Sequence, residues 1–409
     1  MKIIRSSKCS LKFATNKKQE ELQTVLKEYG KVVNCFIDIF WDNPVEKREL
    51  LKPVVDIPQT WFSARLRKVA AREAIDMVSS VKEVFNWNKQ QIQSRIDVLE
   101  NKIKNTKPDT KENRRNINYW YKKMKIKNMK LNMVQIHKPK HNGKHMNFSS
   151  NIANLQTSKT NRFDSWLHLA SIGNKIILDL PIKQHKHFNR LNKEGKRLNS
   201  YIINKDSVQF CFEIETGSKK EVNRIIGVDT GINALASTSD NRQYGKDIKG
   251  CIERSKSCKP GSKGKQKAIR ALKQRIDEVA KEVVQEVDLV VVEKLKGLNE
   301  SSKLKGRLSQ NMRSSIGSWN YSYWLMRVQQ NCERNRVSFR TVASYNTSRT
   351  CPTCGHVDRM NRVGEIFRCQ ACDYTDNADL VAARNIKNRF ITGKYGSCYK
   401  LLNDSILQV

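Results

Sequence analysis

The chain is poor in acidic residues. It has 40 Asp and Glu against 77 Lys and Arg over 409 residues, a formal net charge of +37. That imbalance exceeds what solubility requires, and a compact fold bears it only with self-repulsion, so a polyanionic partner is the natural complement. The sequence also lacks an uninterrupted apolar run long enough to cross a bilayer, and its mean hydropathy is −0.66. An integral membrane protein is thereby excluded, and no membrane partner is expected. The Met1-Lys2 start runs straight into polar sequence with no apolar leader core, which leads us to expect a cytoplasmic protein. Long periodic apolar patterns rule out disorder throughout, and the length suggests two or three domains.

The eleven cysteines, an odd number, point to a reducing compartment rather than a disulfide framework. Four of them fall as Cys351-x2-Cys354 and Cys369-x2-Cys372. Four thiolates at this spacing grip one tetrahedral Zn2+. Two disulfides or idle thiols are the competing reading. Gly355, directly after Cys354, favours the metal because it permits a tight turn around an ion. The remaining cysteines, at 9, 35, 211, 251, 258, 332 and 398, show no pairing logic and read mostly as small buried apolar residues.

Residues 8–13 alternate as a strand, and Thr15 is placed to cap a helix with apolar residues from Leu22 to Ile37 at helical spacing. Pro44 and Pro53 break the next stretch. A long helix follows Pro58, with a buried stripe from Phe62 to Phe85 and a basic face of Arg65, Arg67, Lys68 and Arg72. A narrow apolar seam from Ile92 to Ile103 makes it one arm of a helical hairpin turning near Pro108. The return arm, Arg114 to Lys130, interleaves Tyr119, Trp120 and Tyr121 with basic residues. These aromatics are suited either to stacking on bases or to packing the hairpin. The basic face of the first arm suits either duplex contact or plain solvation. Residues 131–224 carry short alternating runs and read as a small β-rich domain completed by the N-terminal strand, with the helices inserted in it.

From residue 222 the order of elements becomes informative. Ile225 to Asp229 is a buried strand ending in a carboxylate, and Ala234 to Thr238 returns beside it. A Lys/Gly/Ser-rich linker over 251–267 leads to a helix, then to a strand Val287 to Val292 that ends at Glu293. A basic segment over 296–315 precedes an aromatic helix, Trp319 to Glu333, and a strand from Val337 to Ala343. The cysteine loop follows, then a helix that opens with Asp379. This is the layout of an RNase H-like α/β domain, in which Asp229, Glu293 and Asp379 converge at one sheet edge. Three carboxylates there suit two Mg2+, with Mn2+ able to substitute, for phosphodiester hydrolysis. Each acid alone also fits a solvated element end, and Asp288 and Asp376 are nearby rivals.

Gly227-Val228-Asp229-Thr230-Gly231, Val291-Val292-Glu293-Lys294-Leu295, Thr347 to Gly355, and Asn377-Ala378-Asp379 with Ala382-Ala383-Arg384-Asn385-Ile386 together resemble TnpB. TnpB proteins are transposon-encoded RNA-guided nucleases ancestral to the type V CRISPR effectors. The resemblance is strongest over about 222–390. It implies a multidomain α+β protein. A β-rich wedge domain would occupy 1–14 and 131–221, with a helical recognition lobe at 15–130. A RuvC-like nuclease domain would occupy 222–346 and 377–395, a zinc module 347–376 and a tail 396–409. It further implies catalysis by Asp229, Glu293 and Asp379 on two Mg2+, and one structural Zn2+ on Cys351, Cys354, Cys369 and Cys372. The partners implied are a guide RNA and target double-stranded DNA in a prokaryotic cytoplasm or nucleoid, with a monomer favoured. Arg384 would face the scissile phosphate or lie as an ordinary helical arginine. Two departures stand out: Val381 replaces the Asn common two places after the last Asp, and the segment between Asp229 and Glu293 is short. A miniature type V CRISPR effector, a nuclease-inactive RNA-guided repressor and a DNA transposase are the competing functions.

Overall fold

The computed structural model describes residues 1–43, 54–157, 162–295 and 320–393. Pro44, Pro53, the 296–315 segment, Trp319, Cys398 and the tail at 396–409 lie outside the described residues. The chain divides into two compact units, one of Ile4–Ile214 and one of Met1–Ile3 with the chain from Glu215 onward.

The first unit combines two antiparallel sheets with long helices. β1 (Lys2–Ser10) leads to α1 (Asn16–Asp42) and α2 (Ala64–Lys104), and α3 (Lys111–Asn132) completes the hairpin. β1 is longer than the 8–13 alternation suggests and starts earlier. Thr15 has the extended backbone of a cap, but its side chain caps nothing. Ser63 does cap α2, accepting from the Leu66 N–H. α1 buries Leu22, Val25, Leu26, Tyr29, Val32, Val33, Phe36, Ile37 and Phe40, the stripe its spacing dictates. α3 buries no residue, so its basic composition stays in water.

β2 (His145–Ser149), β3 (Ala153–Thr157), β4 (Ser165–Leu169), β5 (Leu178–Ile182), β6 (Lys196–Asn204) and β7 (Ser207–Glu215) follow. The sheets are ordered β1-β7-β6-β2 and β3-β4-β5. A short helix, α4 (Lys186–Glu194), which the sequence pattern does not separate from the strands around it, is capped by His185 and buries Phe188 and Leu191. Phe188 holds it by packing edge-on to Phe210 and Phe212, with ring centroids 5.2 and 5.3 Å away.

The second unit is a layered α/β structure. Its sheet runs β10 (Gln243–Tyr244), β9 (Ala236–Thr238), β8 (Ile225–Asp229), β11 (Leu289–Lys294), β12 (Ser338–Ala343). The last three are mutually parallel, and β9 and β10 run antiparallel. The stretch expected to be a linker at 251–267 is mostly helical: α5 (Ile248–Ser257) precedes α6 (Lys263–Glu282) because Ile248 and Ile252 find a place in the core.

Side chains alternate across this sheet. Ile226, Val228, Val290 and Val292 pack with α6 and with α7 (Tyr321–Arg334) on one face. Leu289, Val291 and Val342 pack with Ile386 of α8 (Ala378–Thr392) on the other. Both faces are covered, which accounts for the near-continuous apolar runs in β8 and β11. Between β12 and α8 a three-stranded sheet of β13 (Arg362–Val363), β14 (Ile366–Arg368) and β15 (Thr375–Asn377) carries the cysteine loop. β15 runs directly into α8.

Candidate functional site

The register of β8 and β11 sets the site. Val291 pairs with Gly227 and Val292 with Val228, so the next step brings Glu293 level with Asp229. Residues 225, 227 and 229 share a face with 289, 291 and 293, because successive side chains point to opposite sides of a strand. That face is the one α8 covers. Asp379 lies in the first turn of α8, where Asn377 caps the helix by accepting from the N–H groups of Asp379 (3.0 Å) and Leu380 (3.2 Å). A carboxylate in that first turn also meets the positive end of the helix dipole. Three acids distant in sequence therefore meet at the carboxyl ends of parallel strands.

Asp229 and Glu293 are 8% and 7% exposed. Burial drives the Asp229 carboxyl well above the usual range, and the Glu293 and Asp379 charges push it further, against the opposing effect of Arg362. Burial likewise raises Glu293, opposed by a 3.1 Å hydrogen bond from the Thr347 hydroxyl and by the charges of Arg389 and Arg362. Two buried acids raised by desolvation, one of them raised further by its acidic neighbours, form a donor set short of positive charge. Hard oxygen ligands in that state fit Mg2+ or Mn2+.

One basic residue joins the trio unannounced by sequence. Arg362, on β13 of the cysteine module, donates to Asp379 Oδ1 at 2.9 Å. Its spacing from any motif gave no sign of this, since the contact depends on how the module folds back over α8. Of the rivals, Asp288 instead accepts from the backbone N–H groups of Asn223 and Arg224, 3.2 and 2.8 Å away. Asp376 accepts from Arg384 at 2.6 Å and from the Tyr374 hydroxyl at 3.0 Å. Arg384 also bonds Asn241 Oδ1 at 2.6 Å, so its guanidinium is held by protein groups. Val381, in place of the family's Asn, is fully buried beside Phe367, Cys351 and Cys369.

The four cysteines of the loop come together. Their ligand atoms lie within 4.8 Å of one another, with Cys351 Sγ 3.6 Å from Cys372 Sγ and Cys354 Sγ 3.5 Å from Cys369 Sγ. Sulfurs about 2.3 Å from a tetrahedral Zn2+ stand about 3.8 Å apart, so the cluster fits that ion. Against some desolvation, backbone N–H groups of Ala371 and Cys372 pull the Cys369 thiol down to about 7, towards the thiolate that a metal needs. Gly355 takes the left-handed conformation (φ 74°) that the turn requires. Of the other cysteines, Cys9 and Cys332 are buried, whereas Cys35, Cys211, Cys251 and Cys258 are only half-buried.

In the first unit, Arg65, Lys68 and Arg72 are exposed on α2 at spacings that share one face. Arg67 is not free to join them, being paired to Asp56 at 2.7 Å. Tyr119 and Tyr121 are half exposed, and Trp120 is more buried, 5.9 Å beneath the Lys102 ammonium. Partial desolvation and the neighbouring charges of Arg95, Lys130 and Lys123 hold Lys127 below its ordinary value, which marks a surface crowded with like charge.

Among the described residues no helix is long and apolar enough to cross a membrane. Residues 321–386 match the Cas12f1-like TNB domain family. A CRISPR-associated endodeoxyribonuclease Cas12f1 from an uncultured archaeon is 28% identical over 151 residues, 33% of this chain and 28% of that protein. The putative RNA-guided DNA endonuclease InsQ of Escherichia coli K12 is 35% identical over 109 residues, 24% of this chain and 27% of that protein. The chain thus spans just over a quarter of the length of these two relatives. CasPhi-2 (Cas12j), solved with crRNA and phosphorothioate-DNA, shares the fold at a TM-score of 0.55 and 9% identity, over 96% of this chain and 92% of that one. The motifs quoted above and these matches together make the chain similar to TnpB-like and Cas12f1-like proteins over the stretches they cover.

Proposed function

We propose that the chain is an RNA-guided DNA endonuclease of TnpB type, cutting phosphodiester bonds in a RuvC-like site of Asp229, Glu293 and Asp379. The observation that carries the reading is the meeting of buried Asp229 and Glu293, whose carboxyl pKa values are raised, with Asp379 from the first turn of α8. Two Mg2+ held by these carboxylates would supply an activated water and stabilise the leaving oxygen. The chain's own groups do the positioning. Thr347 orients the Glu293 carboxylate, the Asn377 cap fixes the Asp379 backbone, and Arg362 offers a guanidinium where phosphate charge develops. The four cysteines hold one Zn2+ that braces the module carrying Arg362.

Guide RNA and target DNA account for the charge of +37. The exposed stripe of Arg65, Lys68 and Arg72 and the basic arm α3 supply backbone contacts, while base pairing with the guide supplies sequence selection. The test is cleavage by the purified complex. Wild type should cut guide-matched DNA, and Asp229→Asn should bind it uncut; undiminished cutting by the variant overturns the site.

A miniature type V CRISPR effector with the same chemistry is the second reading, favoured by the Cas12f1-like match over 321–386. Sequencing the RNA that copurifies decides between them. A transposon-end transcript supports the first reading, and a repeat-derived RNA supports the second.

A further inference from the structure

A second metal-ligating cluster lies in the first unit, apart from the carboxylates and the four cysteines. Glu73 of α2, His141 and His145 each turn one donor atom inward, and the three atoms lie within 4.8 Å of one another. Glu73 Oε1 is 3.4 Å from His141 Nε2 and 3.1 Å from His145 Nε2. Ligands about 2.0–2.1 Å from a tetrahedral Zn2+ stand about 3.3 Å apart, so both separations are edges of such a site. The cysteine cluster in the second unit shows the same correspondence.

Hydrogen bonding alone leaves this cluster incomplete. The His141 side chain is fully buried, and its Nε2 has no hydrogen-bond partner despite lying near Glu73. A buried ring nitrogen left without a partner costs free energy that a ligand there would recover. The surroundings suit an ion. The Tyr29 hydroxyl donates to Glu73 Oε2 at 2.7 Å, which orients the carboxylate so that Oε1, hydrogen-bonded to His145 Nε2 at 3.1 Å, faces both rings. Gly30 of α1 meets the 141–143 segment so closely that a Cβ there would stand 2.7 Å from Gly143 Cα, which fixes His141 against the helices. His145 is 39% exposed and borders a cavity of about 560 Å3, which gives an ion a way in.

We propose that Glu73 Oε1, His141 Nε2 and His145 Nε2 bind a second Zn2+, with water in the fourth position. Imidazole and carboxylate donors in this ratio suit zinc, and three protein ligands with one open place is a known arrangement for it. Both rings then carry their proton on Nδ1. At His141 that gives up a long 3.2 Å bond from the Gly143 N–H, a small loss against a zinc site. The ion would clamp β2, an edge strand of its sheet, to the helix pair.

The test counts zinc in the full-length protein by mass spectrometry after gel filtration in excess Mg2+, so that the carboxylate site does not contribute. Wild type should hold two zinc ions per chain. Glu73→Gln and His145→Ala should each hold one, with circular dichroism unchanged; His145 is half-exposed and Glu73→Gln keeps the bond from Tyr29, so both variants should fold. Cobalt exchanged into either variant should retain the thiolate charge-transfer bands of the cysteine site in full. A wild-type protein that holds one zinc and takes up no second from a buffered Zn2+ solution overturns the proposal, as do variants that still hold two.

Discussion

Gly227 and Ala383 face each other with no room for a methyl group between them: a Cβ on the glycine would run into the Ala383 carbonyl oxygen and stand 2.6 Å from the Lys387 nitrogen. Gly227 lies on the face of β8 that bears Asp229, and Ala383 lies one turn along α8 from Asp379. The contact therefore sets the depth at which the helix delivers its carboxylate to the strand. Gly227→Ala should push α8 outward, destabilise the fold by about 1–3 kcal/mol as overpacking does, and cut cleavage further than that loss explains. Thermal melts and single-turnover cleavage at a temperature where the variant is folded separate the two effects. Full activity in the folded variant would show that the depth of α8 does not matter.

Asp229→Asn should stop cleavage and stabilise the metal-free protein. The substitution removes a buried acid whose charge is disfavoured by burial and by its acidic neighbours, a relief of roughly 0.5–2 kcal/mol. Denaturant titration in a chelator checks it. A variant less stable than wild type would mean the acids are not in conflict.

The raised Asp229 and Glu293 carboxyls set a sign for pH dependence. A carboxyl whose folded pKa exceeds its unfolded one stabilises the fold below the ordinary acid value. That contribution is lost as pH rises through the folded pKa. Metal-free protein should lose stability from about pH 4 upward for this reason, and Mg2+ should restore it. Binding of Mg2+ at a pH where the raised carboxyls are still partly protonated should also expel protons, seen as a calorimetric heat that varies with the ionisation enthalpy of the buffer. A heat independent of buffer would contradict the raised values.

Arg362→Ala should lower cleavage by about 100- to 1,000-fold, the usual loss for a group that stabilises developing charge. Arg362→Lys should recover part of it. Mg2+ affinity should rise in the alanine variant, because the cation paired with Asp379 is gone. Cleavage unchanged by the alanine substitution would reduce the ion pair to a structural contact.

Cys369→Ser should lose the module's zinc and much of the cleavage, with the first unit still folded. The lost thiol is the one its backbone hydrogen bonds most favour as thiolate. Limited proteolysis should then cut within 347–376 first, and retention of zinc by the variant would refute a four-cysteine site.

Much of this was legible in the sequence. The apolar runs ending in Asp229 and Glu293 gave the strands, and the two Cys-x2-Cys pairs gave the loop, since local spacing carries both. What escaped was non-local. Arg362 reaches Asp379 only after a small sheet folds back. Arg384 is held by Asp376 and Asn241, the latter from a turn far earlier in the chain. Arg67 is withdrawn from its basic face by Asp56, and α4 is helical because Phe188 finds an aromatic pocket. His141 and His145 lie four residues apart, but nothing in that spacing names Glu73 as their neighbour.

The capped first turn of α8 supplies the last of the three acids, long after β8 and β11 have been translated. A ribosome that stalls or terminates before Asp379 releases a polypeptide with two of the carboxylates and no means of completing the set. In the proposed enzyme, unfinished synthesis products would accordingly be harmless to the host chromosome.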